Sequence, residues 1–222
     1  MRLVITGANG LVGQGVLGEC LADAGVESIT ALGRHNAGRD DPHLREVLVE
    51  DFADLSGVED RLRGIDGCLY CAGALPVGTT EADYRHVTVD LSVNVARTLA
   101  RLNPGLRFLY ISGAHSNPDS MVMPLRVKGE AERALAALQD ELPIRTTMLR
   151  TGGIQPEHGV RSPHPAMAAM YTVAAPLMGL AQPLMPGLLT STGRVGRAML
   201  ALLRQPDPPA VVENEEINRL GS

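Results

Sequence analysis

The chain is poor in lysine and in aromatic side chains. Lys128 is the single lysine among 20 basic residues, tryptophan is absent, and four Tyr with two Phe bring aromatics to 3%. Any chemistry that needs a tyrosine therefore has few candidates. The lysine scarcity has two readings: a general bias toward arginine, or a place at residue 128 where a planar guanidinium cannot replace a compact ammonium. Three cysteines are too few for a disulfide scaffold and fit a reducing compartment. Cys68-Leu-Tyr-Cys71 has the C-x-x-C form, but it lies in a strand pattern, where residues three apart point to opposite faces. No second Cys/His pair stands at ligand spacing, so a metal or redox role is disfavoured. A net charge of −5 offers nucleic acid no electrostatic attraction. Met1–Thr6 runs straight into a strand pattern without signal-peptide character, so the expected location is the cytoplasm.

What is present is ample apolar material. Of 222 residues, 45% are hydrophobic and 20% charged, which supports a buried core and argues against disorder. Short apolar runs at Leu3–Thr6, Ser28–Leu32, Glu46–Val49, Gly67–Cys71, Arg107–Ser112 and Arg145–Leu149 read as strands. Helix patterns at Gly10–Ala24, Glu81–Leu102 and Val122–Leu138 lie between several of them. This alternation predicts an α/β fold, a Rossmann-type doubly wound parallel sheet covered on both faces.

After Leu149 the pattern changes. Ser162–Gly193 holds no Asp, Glu, Lys or Arg and four of the nine methionines. Pro163, Pro165, Pro176, Pro183 and Pro186 break the stretch, so a membrane span is not expected. It reads as a small helical cap over a substrate pocket, as a dimer surface, or as a segment lying on a membrane, with the cap preferred. A helix over Arg194–Arg204, opened by Ser191 or Thr192, and a short strand at Ala210–Glu213 follow. The expected organisation is a dinucleotide-binding domain over 1–155, with 156–222 forming a cap, closing helix and tail packed on the same domain.

The strongest motif is Thr6-Gly7-Ala8-Asn9-Gly10-Leu11-Val12-Gly13, placed directly after the first strand and opening a helix. Gly7 allows the tight turn, Gly10 lets backbone N–H groups approach a pyrophosphate, and Gly13 permits close helix–sheet packing. The second strand ends in Leu32-Gly33-Arg34-His35-Asn36, with Arg39 close behind. An acid at this place would accept from the ribose hydroxyls of NAD, whereas Arg34 suits the 2′-phosphate of NADP. NADP is therefore preferred over NAD, with a solvated surface arginine as the plain alternative. Asp51, followed by Phe52, either accepts from an adenine amino group or caps the short helix near Asp54. Cys71, Ala72 and Gly73 are small enough to let backbone pass beside a cofactor, though Gly73 is equally a turn residue.

These residues, together with Asn94-Val95 and Ile111-Ser112, resemble the short-chain dehydrogenase/reductase superfamily, in particular its extended and atypical NAD-dependent epimerase/dehydratase branch. The likeness covers about residues 1–155. It implies that Gly153 and Ile154, in the segment Arg150-Thr-Gly-Gly-Ile-Gln-Pro156, meet the nicotinamide end of the cofactor. It also implies a Ser/Tyr/Lys centre in which Ser112 orients a substrate oxygen and Lys128 binds the nicotinamide ribose. The tyrosine belongs four residues before the lysine. Here that residue is Pro124.

With the tyrosine missing, other groups are candidates. His115 is a replacement acid/base, or a loop histidine without a role. Tyr110 shares the Ser112 face of its strand, although burial as a packing residue is favoured; Tyr84 and Tyr171 also read as packing, and His158 and His164 rank lower. Lys128 itself either polarises a substrate oxygen or only anchors the cofactor. Three functions follow. The first is an oxidoreductase acting on a small apolar carbonyl-type substrate; the second is a non-catalytic NADP(H)-binding regulator or assembly factor. The third, an epimerase/dehydratase, is disfavoured by the missing tyrosine and the short chain. The expected partner is a small molecule, with a homodimer as a further option.

Overall fold

The computed structural model describes residues 1–157 and 187–222. Five strands follow the predicted runs closely: β1 (Arg2–Thr6), β2 (Ser28–Gly33), β4 (Gly67–Tyr70), β5 (Leu106–Gly113) and β6 (Ile144–Thr151). β3 (Leu44–Leu48) begins two residues earlier than its apolar run, and β9 (Val211–Glu213) closes the far edge. They form one seven-stranded sheet in the order β3-β2-β1-β4-β5-β6-β9, with every neighbouring pair parallel. The fold is a Rossmann-like doubly wound α/β sheet. Its central strands are buried along most of their length because both faces are covered.

Helix α1 (Leu11–Ala22) lies on one face, with α5 (Thr192–Arg204) and α6 (Asn214–Leu220). In α5, Val195, Ala198, Met199, Leu202 and Leu203 recur at i, i+3, i+4, i+7 and i+8, and all are buried beside Leu3, Ile5 and Val16. The other face carries α4 (Met123–Glu141), whose Val127, Ala131, Leu135 and Leu138 meet Phe108 and Tyr110. It also carries the long helical segment from Glu81. The single helix predicted over Glu81–Leu102 is in fact α2 (Glu81–Arg85), a π-helical turn over His86–Asp90, and α3 (Leu91–Leu102). From the first turn of α3, Ser92 Oγ reaches back to the π-turn carbonyls of Thr88 (2.7 Å) and Val89 (3.0 Å), so a side chain helps satisfy backbone that the wider turn leaves free.

The sheet does not stop near residue 155. β9 adds its seventh strand and α5 fills half of one core face, so residues 187–222 are built into the same layers. Two three-residue strands not visible in the sequence pattern, β7 (Gly153–Gln155) and β8 (Leu189–Ser191), pair in parallel beside the main sheet. The expected cap over 162–193, with Tyr171, His158 and His164, falls almost entirely outside the described residues. No helix among the described residues is long and apolar enough to cross a membrane.

Candidate dinucleotide site

The winding of the sheet reverses between β1 and β4, and a cleft of about 330 Å³ opens there at the carboxyl ends of the strands. Such a switch point is where an open α/β sheet accommodates a ligand. One wall is the glycine loop, Gly7, Ala8, Asn9 and Gly10; the other is the end of β2, with Gly33, Arg34 and His35. Phe52, Cys71, Ala72 and Gly73 complete it, together with Ala31 and Leu32.

Close approach dictates the first and third loop glycines. Gly7 has φ +68°, and a Cβ there would stand 2.6 Å from the Ala72 nitrogen. A Cβ on Gly13 would stand 2.0 Å from the Gly7 carbonyl oxygen. Gly13 is therefore buried behind the loop and acts by letting α1 start against it. Leu11 and Val12 begin α1, half-buried and outside the cleft wall, and contribute first-turn N–H groups that lack an intrahelical acceptor.

Two features of the cleft are not explained by the chain's own packing. Gly73 has no positive φ, and a Cβ there would meet nothing within 4 Å, so neither turn geometry nor crowding requires glycine. Asn9 Nδ2 donates to the carbonyls of Asn36 (2.8 Å) and His35 (3.4 Å), which fixes the amide orientation. Its Oδ1 is then left buried without a partner, an unmade bond that a ligand donor would satisfy. Arg34, exposed at the rim, makes no hydrogen bond or ion pair among the described residues. An amide acceptor, helix-start N–H groups and a free guanidinium suit a ligand carrying hydroxyls and phosphates.

The other expected residues divide between the cleft wall and places outside it. Asp51 is exposed and its Oδ1 accepts from Ala53 N–H (2.9 Å), which is turn capping, and it is absent from the cleft wall. Phe52 is in the wall, held by Asn94 Nδ2 donating to its carbonyl at 2.7 Å. Arg39 lies over α1 near Gly18 instead of lining the cleft. The cysteine pair is split between the two cores, as strand alternation requires. Burial pushes the thiols of both Cys68 and Cys71 well up, which keeps them protonated and unreactive.

A second group of residues gathers at the end of β5. Ser112 is buried, its Oγ 3.0 Å from Ser116 Oγ. Ser116 Oγ donates to the Gly113 carbonyl (2.7 Å) and accepts from Gly113 N–H (3.3 Å). Lys128, one turn into α4, lays its stem across Gly113 and donates from Nζ to the Ile111 carbonyl (3.1 Å). Burial lowers its pKa to about 8, and Glu132 opposes that shift only in part. Tyr110 is indeed a packing residue: it is 2% exposed, stacked on Tyr70, with its hydroxyl turned to the Thr88 carbonyl. Tyr84 is likewise buried. Pro124 occupies the second position of α4, four residues before Lys128, so the lysine stands on its helix without the tyrosine. Gly153 and Ile154 sit beyond β6, outside the cleft wall, where Thr151 Oγ1 donates to the Ser112 carbonyl (3.0 Å) and ties this segment to β5.

Ser116 escaped the sequence reading. Its signal is the spacing Ser-Gly-x-x-Ser, which closes a turn: Ser116 N–H donates to the Gly113 carbonyl (3.2 Å), with His115 at φ +62°. His115 is exposed and forms no hydrogen bond among the described residues. A left-handed backbone costs an L-residue about 1–2 kcal/mol, part of which glycine's entropy cancels. His115→Gly is accordingly expected to stabilise the protein by about 0.5 kcal/mol, measured as a higher urea midpoint at unchanged slope. A lower midpoint would mean that the imidazole holds the turn.

Known proteins share this architecture. A uronate dehydrogenase from Agrobacterium tumefaciens superimposes with a TM-score of 0.71 at 18% identity, over 99% of this chain and 82% of that one. A UDP-glucuronic acid 4-epimerase from Bacillus cereus, solved with NAD, gives 0.72 at 14% identity over 96% and 76%. The thiolation-reductase di-domain of an archaeal non-ribosomal peptide synthetase gives 0.71 at 18% over 96% and 70%. In sequence, the chain is 29% identical over 167 residues to leucinostatins biosynthesis cluster protein T of Purpureocillium lilacinum, covering 73% of this chain but only 61% of that protein. Residues 3–133, more than half of the chain and including the glycine loop, Ser112 and Lys128, match the NAD dependent epimerase/dehydratase family, and to that family the chain belongs.

Proposed function

We propose that the chain binds NADP(H) across the carboxyl ends of its strands and acts as an oxidoreductase on a small, apolar carbonyl compound. The observation that carries this reading is the fit of the cleft to a dinucleotide: an orphaned Asn9 Oδ1, a Gly73 whose missing side chain the chain's own packing does not require, and an unpaired Arg34 at the rim. The Gly7–Gly13 loop and the start of α1 would hold the pyrophosphate, Phe52 would pack on the adenine side, and Arg34 would take the 2′-phosphate. Lys128 would face the nicotinamide ribose, with Gly153 and Ile154 beside the ring. The cofactor supplies hydride when bound; Ser112 positions the substrate oxygen. Dehydrogenase and reductase neighbours support the reaction class, and a stretch without charge from Ser162 to Gly193 supports the apolar substrate.

Arg34→Asp tests the cofactor choice. A charge-assisted bond is worth about 1.5–3 kcal/mol, so NADPH affinity should fall roughly ten- to hundredfold while NADH affinity holds or rises. Unchanged selectivity, measured by fluorescence titration with both cofactors, would remove Arg34 from the site. The reaction class is tested by mixing the protein with NADPH and a panel of aldehydes, ketones and quinones, following loss of NADPH absorbance. Oxidation with at least one class is expected.

Pro124 favours a second reading, in which the dinucleotide is bound but not used, as in a regulator or assembly factor. NADPH binding without turnover across the whole panel would select it.

A further inference from the structure

At the end of β5 His115 is exposed on its turn, and the hydrogens of the more buried described residues can be followed one by one. Ser116 Oγ has the Gly113 carbonyl at 2.7 Å and Ser112 Oγ at 3.0 Å within reach of its one hydrogen, and either serine can be the donor between the two hydroxyls. The pair is bonded otherwise only to the Gly113 backbone, so no titratable group on this chain of bonds resupplies a proton that Ser112 gives up. Thr151 Oγ1 is committed to the Ser112 carbonyl and Tyr110 is turned to Thr88, while Pro124 has no N–H or O–H at all. Lys128 differs. Of its three N–H bonds one goes to Ile111, and no other acceptor among the described residues takes the remaining two.

From this count we infer that Lys128 is itself the proton donor of the reaction, filling the role of the absent tyrosine as well as facing the cofactor. This rests on the oxidoreductase reading above. In the step, the carbonyl carbon accepts a hydride from the reduced nicotinamide and the C=O π pair moves to oxygen. That oxygen takes a proton from the Lys128 ammonium, leaving alcohol, oxidised cofactor and a neutral amine that solvent reprotonates. Ser112 Oγ holds that oxygen by a hydrogen bond. A pKa of about 8 suits an acid working near neutrality. The charged groups around Lys128 leave it unpaired. Glu132 on its own helix is held by Arg150 from β6 at 2.7 Å; across α4, Arg85, His86 and Asp90 pair with one another or with Glu130. The Tyr110 ring lies 5.8 Å from Nζ.

One lysine in 222 residues makes the test direct, because protein labelled with ¹³Cε-lysine gives a single side-chain resonance. In the full chain that resonance is expected to titrate near 8, and NADPH-dependent reduction of benzaldehyde or acetophenone should decline above the same pH. Lys128→Arg keeps a charge and donors but cannot release a proton in this range. At saturating NADPH it is expected to lose turnover by roughly 100-fold or more. A resonance titrating at the ordinary lysine value near 10.5, or Lys128→Arg turnover within about tenfold of the parent, overturns the inference while leaving the oxidoreductase reading in place. Should the arginine variant fold poorly, the resonance and the pH profile of the parent decide alone. NADPH binding with no turnover by the parent on either carbonyl overturns the oxidoreductase reading and the proton-donor role together.

Discussion

Gly13→Ala is expected to abolish dinucleotide binding and to lower Tm by about 6–12 °C. The added methyl would stand 2.0 Å from the Gly7 carbonyl oxygen and 2.6 Å from its carbon, with Ala8 Cα at 3.0 Å behind. These are backbone atoms, so no side-chain rotation relieves the clash; either α1 backs away from the sheet or the loop leaves the cleft. Overpacking of this kind costs about 3 kcal/mol, and a chain of this size loses roughly 2–4 °C per kcal/mol. Gly18→Ala is the matched control, since the nearest atom to its new methyl is an Arg39 nitrogen at 3.8 Å. It should be neutral or stabilising by about 0.5–1 kcal/mol, because alanine loses less entropy in a helix. Calorimetry and NADPH titration of the two variants check this; an unimpaired Gly13→Ala protein would show that the loop is not packed as described.

Arg150→Ala should cost about 3–5 kcal/mol without touching the dinucleotide cleft. Arg150 forks onto Glu132 of α4 with bonds of 2.7, 3.0 and 3.3 Å and reaches Glu213 of β9 at 3.0 Å. The Glu132 side chain is 9% exposed, so removing its partner strands a buried carboxylate. The Glu213 arm is largely exposed and adds little. This pair fixes α4 to β6 at the turn that follows Lys128, so urea denaturation should show the loss and the lysine resonance should shift with it. The double variant Glu132→Leu with Arg150→Met should recover most of the stability, since well-packed apolar groups often replace a buried ion pair at no cost. A loss below about 1 kcal/mol in Arg150→Ala would indicate that solvent reaches Glu132.

How much of this was readable from the chain depends on the range of the rule. The roles of Gly7 and Gly13 are local: a tight turn and a helix starting against it follow from residue type and position after a strand, and in the structure Gly7 has φ +68° with Gly13 against its carbonyl. Arg34 at the end of β2 is equally local, because strand order and motif position identify the rim. Asp51 was ambiguous for a physical reason, since the same carboxylate can cap a turn or meet a ligand. In the structure it bonds Ala53. The Ser112–Ser116 bond was not visible because it depends on His115 adopting a left-handed backbone that no pattern announces for histidine. The Glu132–Arg150–Glu213 set joins three elements far apart in sequence, and the π turn at His86–Asp90 breaks a pattern whose apolar spacing reads as continuous helix. Burial and pairing between distant segments are tertiary facts, and they are what turn Lys128 from a compositional oddity into a candidate acid.

We propose above all that the cleft at the β1/β4 reversal holds a nicotinamide dinucleotide. Its most direct test is Tm with and without cofactor. At about 100 times its Kd, a ligand that binds only the folded chain adds about 2.7 kcal/mol, which here corresponds to a rise of roughly 5–10 °C. NADPH should produce that rise and NADH a smaller one at equal concentration. A Tm unmoved by either cofactor at millimolar concentration would contradict the account.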